Sequence, residues 1–355
     1  MFIGDHKIRI RLYRHFTAIC LVIYLIFSSG FLQAQNKQNI HVGVNAIWGD
    51  KIARSMWQPT IDYLNHSIPQ YNFHLVTLNL NDIHSSVAKR KIHFIATNPG
   101  NYIELEMAYG VTRLLTLNKV RQGIPSTQFG AVIFSRADKK NIKSIYDLRG
   151  KSFAAVSKTA FGGFQMAWRE LKQYGLDPYK DFMAMQFTGF PQDNVVYAVR
   201  DGKAEAGTVR TDTLERMARE GLINLAEFKI LAPKKLDGFP FLLSTQLYPE
   251  WPFASLSHTS PKLAKQVTTA LLELSKDSRA ARSAKSVGWT IPMDYHPVRE
   301  LMQELAIGPY SLHNKISLYK AVEKYWWLLA ILFLSIAPPL LAYISRLKNK
   351  KRAQI

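Results

Sequence analysis

Four short segments carry the residue types that hold small anions: hydroxyls, amides, glycines beside a helix start, and one arginine. They are Thr97-Asn98-Pro99-Gly100-Asn101-Tyr102, Ser157-Lys158-Thr159-Ala160-Phe161-Gly162-Gly163-Phe164, Thr188-Gly189-Phe190-Pro191-Gln192-Asp193 and Thr208-Val209-Arg210-Thr211-Asp212-Thr213. Each follows an apolar run and precedes an amphipathic stretch, so each reads as a strand-to-helix turn. Backbone N–H groups at a helix start bind oxyanions, and glycines let the main chain approach a ligand closely. The first turn offers Thr97 and Asn98. The second offers Ser157, Thr159, Phe161, Gly162 and Gly163, and is the strongest of the four. The third offers Gln192 and Asp193, the fourth Arg210 and Thr211. The guanidinium of Arg210, emerging at a strand end, has the fork geometry for a bidentate oxyanion contact. Plainer readings stand beside these: an ordinary turn at 97–102, a flexible loop at 157–163, a helix cap for Asp193, and a surface ion pair of Arg210 with Asp212 or Glu215. Trp48 and Trp57 could wall the same site, although the helical position of Trp57 equally suits a core.

Other chemistries lack their motifs. There is no G-x-x-x-x-G-K-[ST], G-x-G-x-x-G or G-x-S-x-G pattern, which leaves phosphate-loop, dinucleotide and hydrolase-elbow readings unsupported. The histidines after residue 36 form no i, i+4 pair, and the single cysteine, Cys20, lies in the N-terminal apolar stretch. No metal, cofactor or catalytic residue is therefore expected, and no disulfide. Glu104 and Glu106 read as solvated charges on two faces of one helix.

The elements that must position these turns alternate short apolar runs with amphipathic stretches, which indicates an α/β fold. Strands are expected at 40–46, 73–78, 92–97 and 127–135, and helices at 56–65, from Asn81 or Asp82 to Lys89, and from 100 to 108. A second series follows, with strands at 152–156, 182–187 and 205–209 and helices at 164–174, 192–200 and 211–220. A strand at 239–247 then returns to the first unit, completed by helices near 261–275 and 296–306. The expectation is two Rossmann-like lobes crossed twice by the chain, lobe 1 at 37–135 and 240–310 and lobe 2 at 136–239, with a cleft between them. Clefts of that kind are where small ligands bind.

The ends set the compartment. A basic stretch with Lys7, Arg9, Arg11 and Arg14 precedes an apolar run that ends near Phe31. It reads as a signal peptide, cut after Ala34, or as an uncleaved signal anchor within residues 1–35. Residues 325–345 carry no charge, enough to cross a hydrocarbon core about 30 Å thick, with Trp326 and Trp327 at one edge. Arg346, Lys348, Lys350, Lys351 and Arg352 follow in a basic tail at 346–355. Both basic clusters belong on the cytoplasmic side, which places residues 36–320 in the periplasm, anchored in the inner membrane. The formal net charge is +20, and most of it falls between the two ends. That favours a small anionic ligand or an anionic membrane surface. Nucleic acid is the wrong partner for this compartment.

Together these segments resemble the phosphonate-binding-protein-like (PhnD-like) branch of type 2 periplasmic binding proteins. Asp147-Leu148-Arg149-Gly150-Lys151 with a Ser/Thr-rich turn seven residues on is similar to its lobe-entry pattern. The body resembles more closely the periplasmic sensor region of tetrathionate-responsive sensor histidine kinases. Trp57-Gln58-Pro59-Thr60-Ile61-Asp62-Tyr63-Leu64, Phe161-Gly162-Gly163-Phe164-Gln165-Met166-Ala167-Trp168-Arg169-Glu170, Gly207-Thr208-Val209-Arg210-Thr211-Asp212-Thr213-Leu214-Glu215 and Tyr248-Pro249-Glu250-Trp251-Pro252 carry that likeness. The resemblance implies hinge closure on a small anion. It makes 157–163 the oxyanion-binding loop and Tyr102 a cleft tyrosine, and puts Arg210 where amine-binding relatives hold an acid. It also implies a kinase module, for which the sequence given has no room after residue 345. The expectation is then a truncated sensor kinase, an anchored receptor whose partner is a separate histidine kinase or, on a transport reading, a partner of an ABC permease.

Overall fold

The computed structural model describes residues 37–311 and 325–343, apart from residues 329 and 332. The expected export segment and basic tail lie outside the described residues. Strand β1 (Gln38–Asn45) leads into helix α1 (Asp50–Ser67) through Gly49, whose φ of 90° takes the chain around a corner closed to other residues. Ala53, Trp57, Ile61 and Leu64 recur at helical spacing and are buried. Burial of each large side chain among them contributes about 1.5–3 kcal/mol. Strand β2 (Tyr71–Leu78) pairs parallel with β1, and helix α2 (Leu80–Ala88) follows. Its cap is Asn79, which accepts from the Asp82 amide, rather than Asn81 or Asp82 as expected. Strand β3 (Phe94–Ala96), helix α3 (Pro99–Tyr109), strand β4 (Thr112–Arg121) and strand β5 (Ile124–Ser126) complete the first passage.

The expected long strand at 127–135 is two strands. β6 (Gln128–Phe129) and β7 (Ala131–Arg136) are separated by Gly130, and β7 belongs to the second sheet. Chain passing from one sheet to another cannot keep one ladder, so the crossover falls at Gly130 and not after Ser135. A Cβ on Gly130 would collide with Leu243 Cδ1 and lie 3.2 Å from the Gln246 carbonyl, so the two crossings are in contact there. The second sheet adds β8 (Ser152–Ala155), β9 (Ala184–Phe187), β10 (Ala206–Arg210) and β11 (Phe228–Leu231), in the order β11-β7-β10-β8-β9. Its helices are α4 (Met166–Gln173), α5 (Asp193–Arg200) and α6 (Thr213–Arg219).

Residues 239–247 form no strand. The return is made by β12 (Tyr248–Pro249), antiparallel to β6, and these two strands are the connection between the lobes. Strand β13 (Pro252–Ser255), helix α7 (Pro261–Leu272), helix α8 (Arg279–Ser283), strand β14 (Ser286–Thr290) and helix α9 (His296–Glu304) finish lobe 1. Its sheet runs β14-β4-β13-β3-β1-β2, with β5 on β4. One apolar cluster passes through both lobes behind the crossings, from Tyr102 and Tyr295 to Phe129, Phe161 and Tyr248. A further helix, α10 (Tyr325–Tyr343), could by length and composition cross a membrane.

Candidate functional site

A cavity of about 300 Å³ opens between the lobes at the carboxyl ends of their parallel strands, the usual ligand position in open α/β sheets. Lobe 1 contributes Asn45, Ala46, Ile47 and Trp48 after β1, Asn79 and Leu80 after β2, Asn98 after β3, and Trp251. Lobe 2 contributes Ser157, Thr159 and Ala160 to Gly163 after β8, Phe190 and Gln192 after β9, and Arg210 at the end of β10. Phe129 of the crossing lies between them.

The turn after β8 is built from Ser157 Oγ and Thr159 Oγ1, 3.5 Å apart, followed by a single π-helical turn (Phe161–Gln165) that runs into α4. Wide turns of this kind concentrate at functional sites. Its glycines answer to packing. A Cβ on Gly162 would lie 2.8 Å from Phe129 Cε2, and one on Gly163 would lie 2.6 Å from Val156 Cγ2. Only a bare backbone fits between the crossing and the strand, and that sets the loop against the cavity.

Arg210 is held from three sides. Its amide donates to Gln192 Oε1 at 2.8 Å, its guanidinium carbon lies 4.1 Å from the Phe129 ring centroid, and a terminal nitrogen pairs with Glu250. Glu250 is 1% exposed and is shared with Arg121, which also faces Asp212 at 3.3 Å. The partner of Arg210 is therefore Glu250, not Asp212 or Glu215. Burial among these charges pushes Asp212 up to about 6, and burial pulls Lys119 down to about 8. Two buried polar atoms on the cavity-lining residues, Arg210 Nε and Asn45 Oδ1, have no hydrogen-bond partner among the described residues. Trp48 stacks on Trp251 at 6.2 Å between centroids, a flat wall on the lobe 1 side.

Of the residues singled out in the sequence, Asn98, Ser157, Thr159, Phe161, Gly162, Gly163, Gln192 and Arg210 line this cavity. Four do not. Thr97 is fully buried behind the wall, accepting from Asn45 Nδ2 at 3.4 Å and donating to Asn101 Oδ1, so it positions Asn45. Tyr102 is also buried, with its hydroxyl on Glu106 and its ring against Tyr295; it is a core tyrosine, not a cleft one. Asp193 pairs with Arg216 at the start of α5, and buried Thr211 ties its amide to the Gly130 carbonyl. Glu104 and Glu106 are partnered rather than solvated: Glu104 meets His84, and Glu106 meets Tyr102, Arg113 and Arg299. Trp57 is core. Sequence reasoning missed Asn45, Asn79, Phe129 and Trp251. Asn79 with Asp82 three residues on has a capping pattern that marks a helix start; Trp251 carries no local signal.

The chain is 34% identical over 270 residues to the tetrathionate sensor histidine kinase TtrS of Salmonella typhimurium, covering 76% of this chain and 44% of that protein. It thus spans less than half the length of that relative. Among solved structures it superposes on the Xanthomonas citri protein XAC2383 bound to ATP with a TM-score of 0.60 at 17% identity, over 79% of this chain and all of that one. A binding-protein component of an ABC phosphonate transporter from Pseudomonas aeruginosa gives 0.58 at 13% identity, over 89% of this chain and 100% of that one. PhnD1 of Prochlorococcus marinus, in complex with methylphosphonate, gives 0.55 at 13% identity, over 76% and 99%. At these identities the structures establish the two-lobed periplasmic-binding-protein fold. The sequence matches the family described as ABC transporter, phosphonate, periplasmic substrate-binding protein over residues 48–296, and the chain belongs to that family.

Proposed function

We propose that this chain is a membrane-anchored periplasmic receptor that binds a small oxyanion between its lobes and reports occupancy through lobe closure. The observation that carries this reading is the cavity itself. Hydroxyls and a glycine turn from one lobe face asparagines and a tryptophan pair from the other, with Arg210 at the junction. A ligand touching both lobes favours the arrangement in which both are near, and the shift equals its differential affinity for the two arrangements. Helix α10 is the anchor on this reading, and a histidine kinase module is the partner that hears the signal. The likeness to a sensor kinase over most of this chain supports that choice. The family description favours a second reading, delivery of phosphate, phosphite or phosphonate to an ABC permease.

Calorimetry on the full chain in detergent tests both, with tetrathionate, thiosulfate, sulfate, phosphate and methylphosphonate as titrants. The expected result is saturable binding of a sulfur oxyanion, weakened about tenfold or more by Arg210→Ala, the loss of a charged contact. Preference for methylphosphonate or phosphate moves the chain to transport. No binding of any of these anions overturns the oxyanion reading.

A further inference from the structure

One edge of lobe 1 gathers positive charge that the fold does not pair. Strands β1 and β2 start there side by side, with Gln38 opposite Tyr71 and His41 opposite His74. The His93 amide donates to the His41 carbonyl at 2.8 Å. The His93 carbonyl accepts from the Leu256 amide at 2.9 Å and the Thr259 hydroxyl at 2.7 Å. Segments 37–41, 71–74, 88–93 and 257–262 therefore meet on one edge. They carry five Lys or Arg side chains (Lys37, Lys89, Arg90, Lys91 and Lys262), four histidines and no carboxylate. All five cations are exposed, and none has an ion pair among the described residues. These five are the fixed charge at neutral pH, because burial above all holds His41, His93 and His258 below 6.5. Arg90 lies close enough to add to that effect at His258, whose Nε2 is buried with no hydrogen-bond partner among the described residues.

The edge lies at the amino ends of the parallel strands β1, β2 and β3, and the ligand cavity lies at their carboxyl ends. Whatever covers the edge leaves the cavity open. The chain also leaves the body from lobe 1, where Ile307 and Tyr310 pack on the apolar cluster beside α3 and α9. Ser311 and Tyr325, the first residue of α10, are fourteen residues apart in sequence, a span of at most about 50 Å. With α10 in a bilayer, lobe 1 is kept within reach of the lipid headgroups. Each Lys or Arg brought to an anionic surface tightens association roughly fivefold, so five on one edge make a strong electrostatic face. A free acidic protein has no such tether, so the lipid surface is the occupant that the placement favours.

We propose that this edge is a docking face for anionic lipid headgroups, which seats lobe 1 on the membrane and leaves lobe 2 as the moving lobe. The proposal rests on α10 as the anchor and is independent of which anion the cleft takes. Closure then becomes a motion of lobe 2 against a seated lobe 1, with the cavity mouth turned away from the lipid.

The test reconstitutes the full chain into lipid nanodiscs, one set of phosphatidylcholine alone and one of phosphatidylcholine mixed with phosphatidylglycerol. Amine labelling read by mass spectrometry reports Lys89, Lys91 and Lys262, with Lys180 of lobe 2, 82% exposed on its side chain, as the reference. Phosphatidylglycerol is expected to slow labelling of the three edge lysines about fivefold or more and to leave Lys180 unchanged. Salt at about 0.5 M should restore the edge. A Lys89→Gln/Lys91→Gln variant, both positions being exposed, should free Lys262 in the same discs with an unchanged melting temperature. Equal labelling of the edge in both disc types overturns the docking face; where that labelling falls as chains per disc increase, a second copy covers the edge instead. Equal slowing at Lys180 overturns it as well, being adhesion without orientation, and so does a Lys262 still protected in the variant. A chain that fails to enter the discs removes α10 as the anchor and the docking face with it, and leaves the oxyanion cleft to its own titrations.

Discussion

Glu250 decides the electrostatics at the scale of single residues. It is almost wholly buried, and it answers two guanidiniums, Arg121 from β4 and Arg210 from β10. Its backbone carbonyl also accepts from the Tyr295 hydroxyl. Removing the charge that two buried cations share leaves both undercompensated, the costly way to break a buried pair. Glu250→Gln should therefore lower unfolding stability by about 3–5 kcal/mol, read from urea unfolding of the purified chain. Arg210→Ala should cost less, since Arg121 still holds Glu250. A Glu250→Gln variant as stable as the parent would mean that the pairing contributes no net stability. None of this was legible in the sequence. Arg210 stood out because a strand ends there, but Glu250 lies 40 residues from it and Arg121 lies 129 residues from Glu250, and no spacing rule joins residues across two crossings. Tyr102 differs for another reason: the family resemblance implied a cleft tyrosine there, while its helical phase turns the ring inward against Tyr295.

The turns and strand edges make their own demands. The β8–α4 turn was legible as a candidate because Ser157, Thr159 and paired glycines before a helix have few other uses. The reason for Gly162 was not, because it depends on Phe129 from a distant segment. Gly162→Ala puts a Cβ 2.8 Å from that ring and should cost about 1–3 kcal/mol by overpacking. It should also weaken anion binding, since Phe129 carries the Arg210 guanidinium on its face. Unchanged binding in Gly162→Ala would separate the turn from the site. At another edge of lobe 1, His41, His74, His93 and His258 sit ring to ring at 5.2–6.0 Å. Burial lowers His41, His93 and His258 below their ordinary value of 6.5; His74 adds to this at His41, His258 and His41 add to it at His93, and Arg90 adds to it at His258. Because the folded chain resists these protons, the unfolded chain takes them first as pH falls. Stability should therefore drop as pH goes below 6.5, and level off once the folded histidines charge as well. His93→Asn keeps an acceptor for the His41 amide and should flatten the melting temperature against pH in that window. An identical slope in the variant would remove the histidine edge as its source.

For the whole molecule the question is what holds the lobes in register. The βαβ alternation made two lobes and two crossings legible, because strand and helix periods survive in the local pattern. The crossings themselves were displaced in the reading, since β6 and β12 are two residues each and too short for any period. Beside them runs a second tie. Phe161 of the cavity packs edge-on against Tyr248 of β12 at 5.4 Å, and the Tyr248 hydroxyl accepts from Arg169 of α4 at 3.2 Å. Arg169, itself buried, donates through Nε to Glu304 of α9 at 2.8 Å and faces Glu300 at 3.4 Å. The Arg169 guanidinium beside Glu304 holds that carboxyl below the usual range. The chain of contacts joins the ligand cavity to α9, the last α-helix before α10 among the described residues. Glu304 is 43% exposed on its side chain, so Glu304→Gln should cost about 1 kcal/mol or less and leave the chain folded. If the tie holds the lobes where the cavity is complete, loosening it lowers the competent fraction, and apparent affinity falls by that fraction. The expected loss is roughly two- to fivefold in anion affinity with no change at any residue that lines the cavity. Calorimetry on the Glu304→Gln chain reads it directly. An unchanged affinity would assign the register of the lobes to the β6–β12 pair alone, and would place the path from ligand to α10 elsewhere.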